Sequence, residues 1–203
     1  GTNYADRKYF AQAREGRVGH QYAVGRKTRV AGLYYSAPVF DNGQLIGVVA
    51  IKRDIHHFAD LIKPAHAFIS DVNGVVVLAP DKRLENLALP NAAIAQLSAA
   101  QRETQYGRSQ FGNLVMTRWD ATRFPDALLI NHDTLPLVLA SQVLPEDGIT
   151  LHATRQLHDL VRINIERNWL FILLSVAGSM LIVAAWAVFL YLRQSRKLET
   201  DLR

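Results

Sequence analysis

Up to about residue 154, apolar and polar positions alternate in short runs punctuated by Gly, Asn and Pro. That period belongs to half-buried strands. In "VAGLYYSAPVFDNGQLIGVVAIKRD" two such runs flank Asn42-Gly43, the strongest short-range hairpin signal. Along the second run Val48, Ala50 and Lys52 share one face, and Val49 and Ile51 the other. The theme recurs in "AFISDVNGVVVLAP" around Asn73-Gly74. Further strands are predicted at "NLVMTRW", "ALLINH", "LPLVLASQVL" and "ITLHATR". Helical spacing is predicted over residues 4–15 and near "NAAIAQLSAA". From about Gln156 a helix is predicted to run on unbroken, because "LHDLVRINIERNWLF" holds no Gly or Pro.

The pattern then changes. Trp169 to Leu192 is an uncharged apolar block of 24 residues. As a helix it spans roughly 36 Å at about 1.5 Å per residue, enough for a hydrocarbon core of about 30 Å. Trp169 and Tyr191 mark its ends, where amphipathic rings favour the headgroup region. Arg193, Arg196 and Lys197 follow at once, which sets the C-terminal side as cytoplasmic. Leu198 and Leu202 continue a helical spacing beyond it. Gly1 is no initiator methionine and the helix runs on at Arg203, so the expectation is a piece of a longer protein, cut at both ends.

Charge narrows the function classes. The chain of 203 residues has no cysteine and a formal charge of +5; thiolate metal sites and disulfides are excluded. Residues 1–63 carry ten Lys and Arg against five Asp and Glu, and the remainder balances thirteen against thirteen. The excess is dispersed through apolar sequence rather than gathered in a dense stripe, which argues against nucleic acid.

Within that basic third, "NYADRKYFAQA" interleaves charges with aromatics. A small dianion needs cationic donors at opposite walls and neutral donors between them. Arg7 can grip one carboxylate in bidentate fashion. On the predicted helix Tyr4 precedes it on the same face, with Ala11 beyond. Lys52, in line with Val48 and Ala50, points inward or to a pocket rim, and Ser36 on the partner strand offers a hydroxyl. Other chemistry finds little support. His56 and His57 are adjacent, so they diverge, and no carboxylate pair completes a metal site. His132 beside Asp133 lacks a nucleophile elbow, and no phosphate-binding glycine loop occurs. No catalytic or metal-ligating residue is expected.

In order and spacing, "GTNYADRKYFAQA", "GLYYSAPVFDNGQLIGVVAIKRD" and "AFISDVNGVVVLAP" resemble the extracytoplasmic region of bacterial four-carbon-dicarboxylate transport sensor histidine kinases. The matched patterns are N-Y-x-x-R-x-Y-F, Y-x-S-x-P-V and V-x-K-x-D, within a likeness covering residues 1 to about 165. The resemblance implies an α+β chain of two PAS-like (double Cache) folds with antiparallel sheets, the first incomplete. Residues 1–63 are then the C-terminal part of a membrane-distal ligand-binding fold, and 64–154 a membrane-proximal fold. A juxtamembrane helix (155–168), a transmembrane helix (169–192) and the start of a cytoplasmic signalling helix (193–203) follow. Tyr4, Arg7, Ser36 and Lys52 match the family's ligand contacts. The implied protein sits in the bacterial inner membrane with residues 1–168 outside, binds a small carboxylate and acts as a homodimer. No cofactor belongs to the fragment; ATP and magnesium belong to the kinase domain, which passes phosphate to a response regulator. The same sensor also precedes diguanylate cyclases and chemoreceptors, and an anchored binding module without output is a third possibility.

Overall fold

Asn42 and Gly43 both take positive φ, 46° and 81°, the combination that closes a two-residue hairpin with the right twist. The turn joins β2 (Ala31–Asp41) to β3 (Gln44–Asp54) in antiparallel register, Asp41 opposite Gln44. A strand not anticipated from the pattern, β1 (Gly19–Val24), pairs with the other edge of β2, Gly19 opposite Ser36 and Val24 opposite Ala31. The result is a three-stranded sheet in the order β1-β2-β3. This is a computed structural model describing residues 2–131 and 133–201; the candidate His132 lies outside the described residues, as do Gly1, Leu202 and Arg203.

Helix α1 (Lys8–Arg14) covers one face of this sheet and buries Tyr9 and Ala13. It is shorter than the helix predicted over 4–15. Arg7 is its N-cap with extended backbone, φ −80° and ψ 129°, so Tyr4 and Arg7 belong to the preceding turn and not to one helical face. Two contacts fix the helix to the sheet. The Tyr9 ring stacks on Tyr34 of β2 at 5.1 Å and 9°, and the Ser36 hydroxyl donates to the Tyr9 carbonyl at 2.6 Å.

After β3, Asp54 accepts from the His56 N–H at 2.9 Å and caps a short 3-10 turn, Ile55–Phe58, followed by α2 (Ala59–Ile62). A six-stranded sheet then forms, in the order β5-β4-β11-β10-β9-β8. Its strands are β4 (Ala67–Asp71), β5 (Val76–Leu78), β8 (Met116–Asp120), β9 (Phe124–Ile130), β10 (Leu137–Leu144) and β11 (Ile149–Gln156). Between them β6 (Leu87–Ala88) and β7 (Gly112–Asn113) make a small parallel pair. All five residues of β4 are buried, because both faces of the sheet are covered there. On one face Ile69, Val77 and Ile149 pack with Tyr22, Leu33 and Ile55, so the two sheets share a core. On the other, Phe68, Val76, Leu114 and Ile130 form a second cluster.

The helix expected near residues 91–100 starts later. Ala93–Gln96 is only a 3-10 turn, and α3 runs from Ala99 to Tyr106. The reason is local: Leu97 is extended, and Ser98 forms a capping box with Gln101 that begins the helix. Gly107, left-handed at φ 68°, ends it.

This compact unit extends through Gln156, and a separate helical unit follows. Its helix α4 (His158–Asp201) starts three residues later than the boundary expected at 155, because β11 stays paired to β10 up to Gln156 opposite Leu137. Between Trp169 and Tyr191 its large apolar side chains are exposed. The hydroxyls of Ser175 and Ser179 donate back to the Phe171 and Ser175 carbonyls at 2.7 and 2.8 Å, so no side-chain donor in them needs water. By length and composition α4 could cross a membrane.

Candidate functional site

The stretch that alternates charge and aromatic rings assembles a cationic pocket at the start of α1. Because Arg7 occupies an extended N-cap position, its side chain turns inward and is only 3% exposed. Its Nη2 donates to the Val24 carbonyl at 3.0 Å, at the end of β1. Nη1 is buried and has no partner among the described residues. No carboxylate pairs with the guanidinium within the ion pairs of the described residues. Burial, and after it the nearby Arg26, lowers the Arg7 pKa from its ordinary value. A buried charged donor left unpaired is costly, on the order of a few kcal/mol.

A cavity of about 220 Å³ opens beside this group. Arg7, Arg26 and Arg29 line it on the side of α1 and the β1–β2 loop, and Glu103, Thr104 and Gly107 on the side of α3. The loop "GRKTRV" holds its shape through Gly25 N–H to Val30 carbonyl (2.9 Å) and Arg29 N–H to Gly25 carbonyl (2.8 Å), with Arg29 left-handed at φ 54°. Arg26 is ion-paired with Asp6, donates to the Asn3 carbonyl, and lies 5.9 Å from the Tyr4 ring centroid. Tyr9 and Tyr34 flank the same cations, and burial raises the pKa of both phenols. They stay protonated and neutral at ordinary pH.

The four residues singled out from the sequence are distributed unevenly. Arg7 lines the cavity; Tyr4 does not, and its ring lies 5.9 Å from the Arg26 guanidinium. Ser36 is 3% exposed, and its hydroxyl is engaged by the Tyr9 carbonyl. Lys52 sits opposite Tyr34 in the β2–β3 register. Its ammonium donates to the Val30 carbonyl (2.9 Å) and Thr28 Oγ1 (3.3 Å), and stands 5.9 Å from the Tyr34 centroid. Lys52 does not line the Arg7 cavity, so the expected pinch between these two cations is not formed. The reason is the basic loop: Arg7 holds its first end at Val24 and Lys52 its last at Val30. The second charge facing the cavity comes from Arg26 and Arg29 instead. Those two and Glu103 were missed. The sequence signal for the arginines was the dense basic turn itself; for Glu103, remote on another helix, there was none.

His56 and His57 are used locally: His56 Nδ1 lies 2.8 Å from Asp54 Oδ1, and His57 Nδ1 lies 3.3 Å from the Asp54 carbonyl.

The chain matches no family model. Over 105 residues it is 30% identical to the C4-dicarboxylate transport sensor protein DctB of Pseudomonas aeruginosa, a stretch that is 50% of this chain and 16% of that protein. Among solved structures it is similar to the sensor domain of the V. cholerae histidine kinase DctB, with a TM-score of 0.61 and 21% identity. That likeness covers 77% of this chain and 62% of the other. The periplasmic domain of RsbU from Chlamydia trachomatis superposes with a TM-score of 0.55 at 12% identity, over 81% and 63% of the two chains. The chain thus spans less than two thirds of the relatives it matches, and it carries a DctB-like Cache-type sensor fold.

Proposed function

We propose that this DctB-like Cache sensor fold binds a small carboxylate, a four-carbon dicarboxylate, outside the cell membrane and signals its presence across the bilayer through α4. The observation that carries the reading is the buried Arg7 guanidinium, whose Nη1 has no partner and which borders a cavity lined by two further arginines. A carboxylate oxygen placed there satisfies the orphan donor and neutralises a desolvated charge at once. Arg26, already oriented by Asp6 and the Asn3 carbonyl, and Arg29 supply donors for a second carboxylate. The basic loop joining β1 to β2 is the element the ligand draws against α3. The 30% identity to DctB of P. aeruginosa supports a kinase output. In that reading the protein is a homodimer in the bacterial inner membrane, its cytoplasmic kinase uses ATP and magnesium, and phosphate passes to a response regulator.

Coupling of this kind is typically worth about 1 to 3 kcal/mol and requires the ligand to prefer one state. The test is calorimetric titration of the chain in lipid nanodiscs with succinate, fumarate and malate. Saturable binding of at least one, lost in Arg7→Ala, is the expected result. Binding that persists unchanged in Arg7→Ala refutes the site.

A further inference from the structure

The cavity wall opposite the arginines carries an acid. Glu103 projects from α3, is exposed, and makes no ion pair among the described residues. It faces Arg7, Arg26 and Arg29, so the cavity lining holds three positive charges against one negative. Asp6 already offsets Arg26 in an ion pair, so Glu103 further reduces the positive charge that the arginines offer a ligand. An acid on the wall of an anion site opposes its ligand; it is tolerated only if the opposition does something else.

We infer that Glu103 is a specificity-determining residue that sets how many negative charges the bound molecule carries. This rests on the reading of the Arg7 cavity as the ligand site. By repelling each ligand charge, Glu103 weakens the attraction of the arginines in proportion to the ligand's charge, and it disfavours more highly charged anions such as tricarboxylates. It also sits on the one cavity wall contributed by α3, whose next residues reach both sheets: Gln105 donates to the Tyr22 carbonyl of β1 at 3.0 Å, and Tyr106 donates to Asp71 of β4. The ligand's charge is thus felt by the helix that touches both sheets.

The magnitude follows from the cavity's size. A round space of about 220 Å³ is roughly 7 Å across. At that separation one charge pair changes affinity about three-fold even at the dielectric of water, the lower limit of the effect. A dianion feels it twice, about ten-fold. Ionic strength should be kept low, since screening sets in beyond about 10 Å at 0.1 M.

The experiment titrates the chain in nanodiscs with succinate, propionate, citrate and 4-aminobutyrate, comparing wild type, Glu103→Gln, Arg7→Ala and the remote control Asp126→Asn. The expected result for Glu103→Gln is tightening that grows with ligand charge: about three-fold for propionate, ten-fold for succinate and most for citrate, with none for zwitterionic 4-aminobutyrate. Asp126→Asn, exposed on β9 away from the cavity lining, should change none of these. Equal effects on all anions, an equal effect from Asp126→Asn, or no effect of Glu103→Gln while Arg7→Ala still abolishes binding, overturns the role of Glu103 and leaves the Arg7 site standing. Anion binding that is absent in wild type or indifferent to Arg7→Ala overturns the site, and Glu103's role with it.

Discussion

Asp71 offers a sharp thermodynamic test of how the two sheets are joined. It ends β4, is 2% exposed, and accepts the Asn73 and Val75 N–H groups at 3.0 Å each on one oxygen. The other oxygen accepts from the Tyr106 hydroxyl of α3, which itself accepts from Asn73 Nδ2 at 2.7 Å. Three donors would ordinarily depress a carboxylate pKa. Here desolvation exceeds them, and the pKa is raised from 3.8 to about 6. The folded state therefore holds the proton more tightly than the unfolded chain does. Stability from this group is fully present below about pH 4, declines as pH rises toward 6 and is lost above it. A shift of about two units corresponds to roughly 3 kcal/mol.

Asp71→Asn cannot ionise, so the variant lacks this slope. The stability of the variant minus that of wild type should rise by roughly 2 kcal/mol between pH 4 and pH 7, whatever the baseline cost of disturbing the Tyr106 contact. Chemical denaturation at stepped pH, followed by tyrosine and tryptophan fluorescence, gives the difference directly. Other groups cancel in it. His152, buried against Phe68 with its ring nitrogens 2.9 Å from Ser70 Oγ and 2.7 Å from Ser141 Oγ, has its pKa lowered by burial. Its contribution is present above pH 6.5 and is lost as pH falls, in wild type and variant alike. A difference that stays flat from pH 4 to 7 would mean Asp71 is not desolvated, and the account of the shared core would fail.

Tyr35 of β2 donates to Asp147 in the β10–β11 turn at 2.7 Å; Tyr35→Phe should lower stability by about 1 kcal/mol, read as a shift of the denaturation midpoint at unchanged slope. Gly148, next in that turn, has φ +65°, and a Cβ there would lie 2.6 Å from the His20 ring. Gly148→Ala should cost more than Tyr35→Phe, about 1 to 3 kcal/mol, and raise local amide exchange in both β11 and β1. Ser98→Ala removes the capping box of α3 and should cost about 1 kcal/mol, with protection lost first over Ala99–Arg102.

Much of the fold was legible because it is written in short-range chemistry. Both Asn-Gly pairs turn hairpins as expected, and the strand expected in "AFISDVNGVVVLAP" forms as β4, though covered on both faces rather than half-buried. The elements misjudged are those decided by their surroundings. "GHQYAV" has too little alternation to announce a strand; β1 forms because β2 offers a paired edge and Tyr22 fills the shared core. The helix predicted over 4–15 begins at Lys8, with Arg7 as an extended N-cap whose buried guanidinium is held by the Val24 carbonyl. An isolated pattern of apolar positions holds no record of that competition.

The candidate site was half legible for the same reason. A sequence shows that Arg7 and Lys52 are cations on elements that meet, and it can rank them as ligand donors by residue type. It cannot show where a cation's hydrogen bonds end. Arg7 and Lys52 both terminate on carbonyls of one loop, at Val24 and Val30, but only Arg7 keeps a buried donor unpaired. That difference, invisible in composition, separates a cation with unmet hydrogen-bonding capacity from one whose bonds stabilise the loop. It also explains why the loop is so basic. Arg26 and Arg29 face a cavity whose remaining wall, α3, is tied to β1 through Gln105 and to β4 of the other sheet through Tyr106. An anion held between them therefore acts on the β1–β2 loop and on a helix bonded to both sheets, whereas one held between Arg7 and Lys52 would have acted on the first sheet and α1 alone.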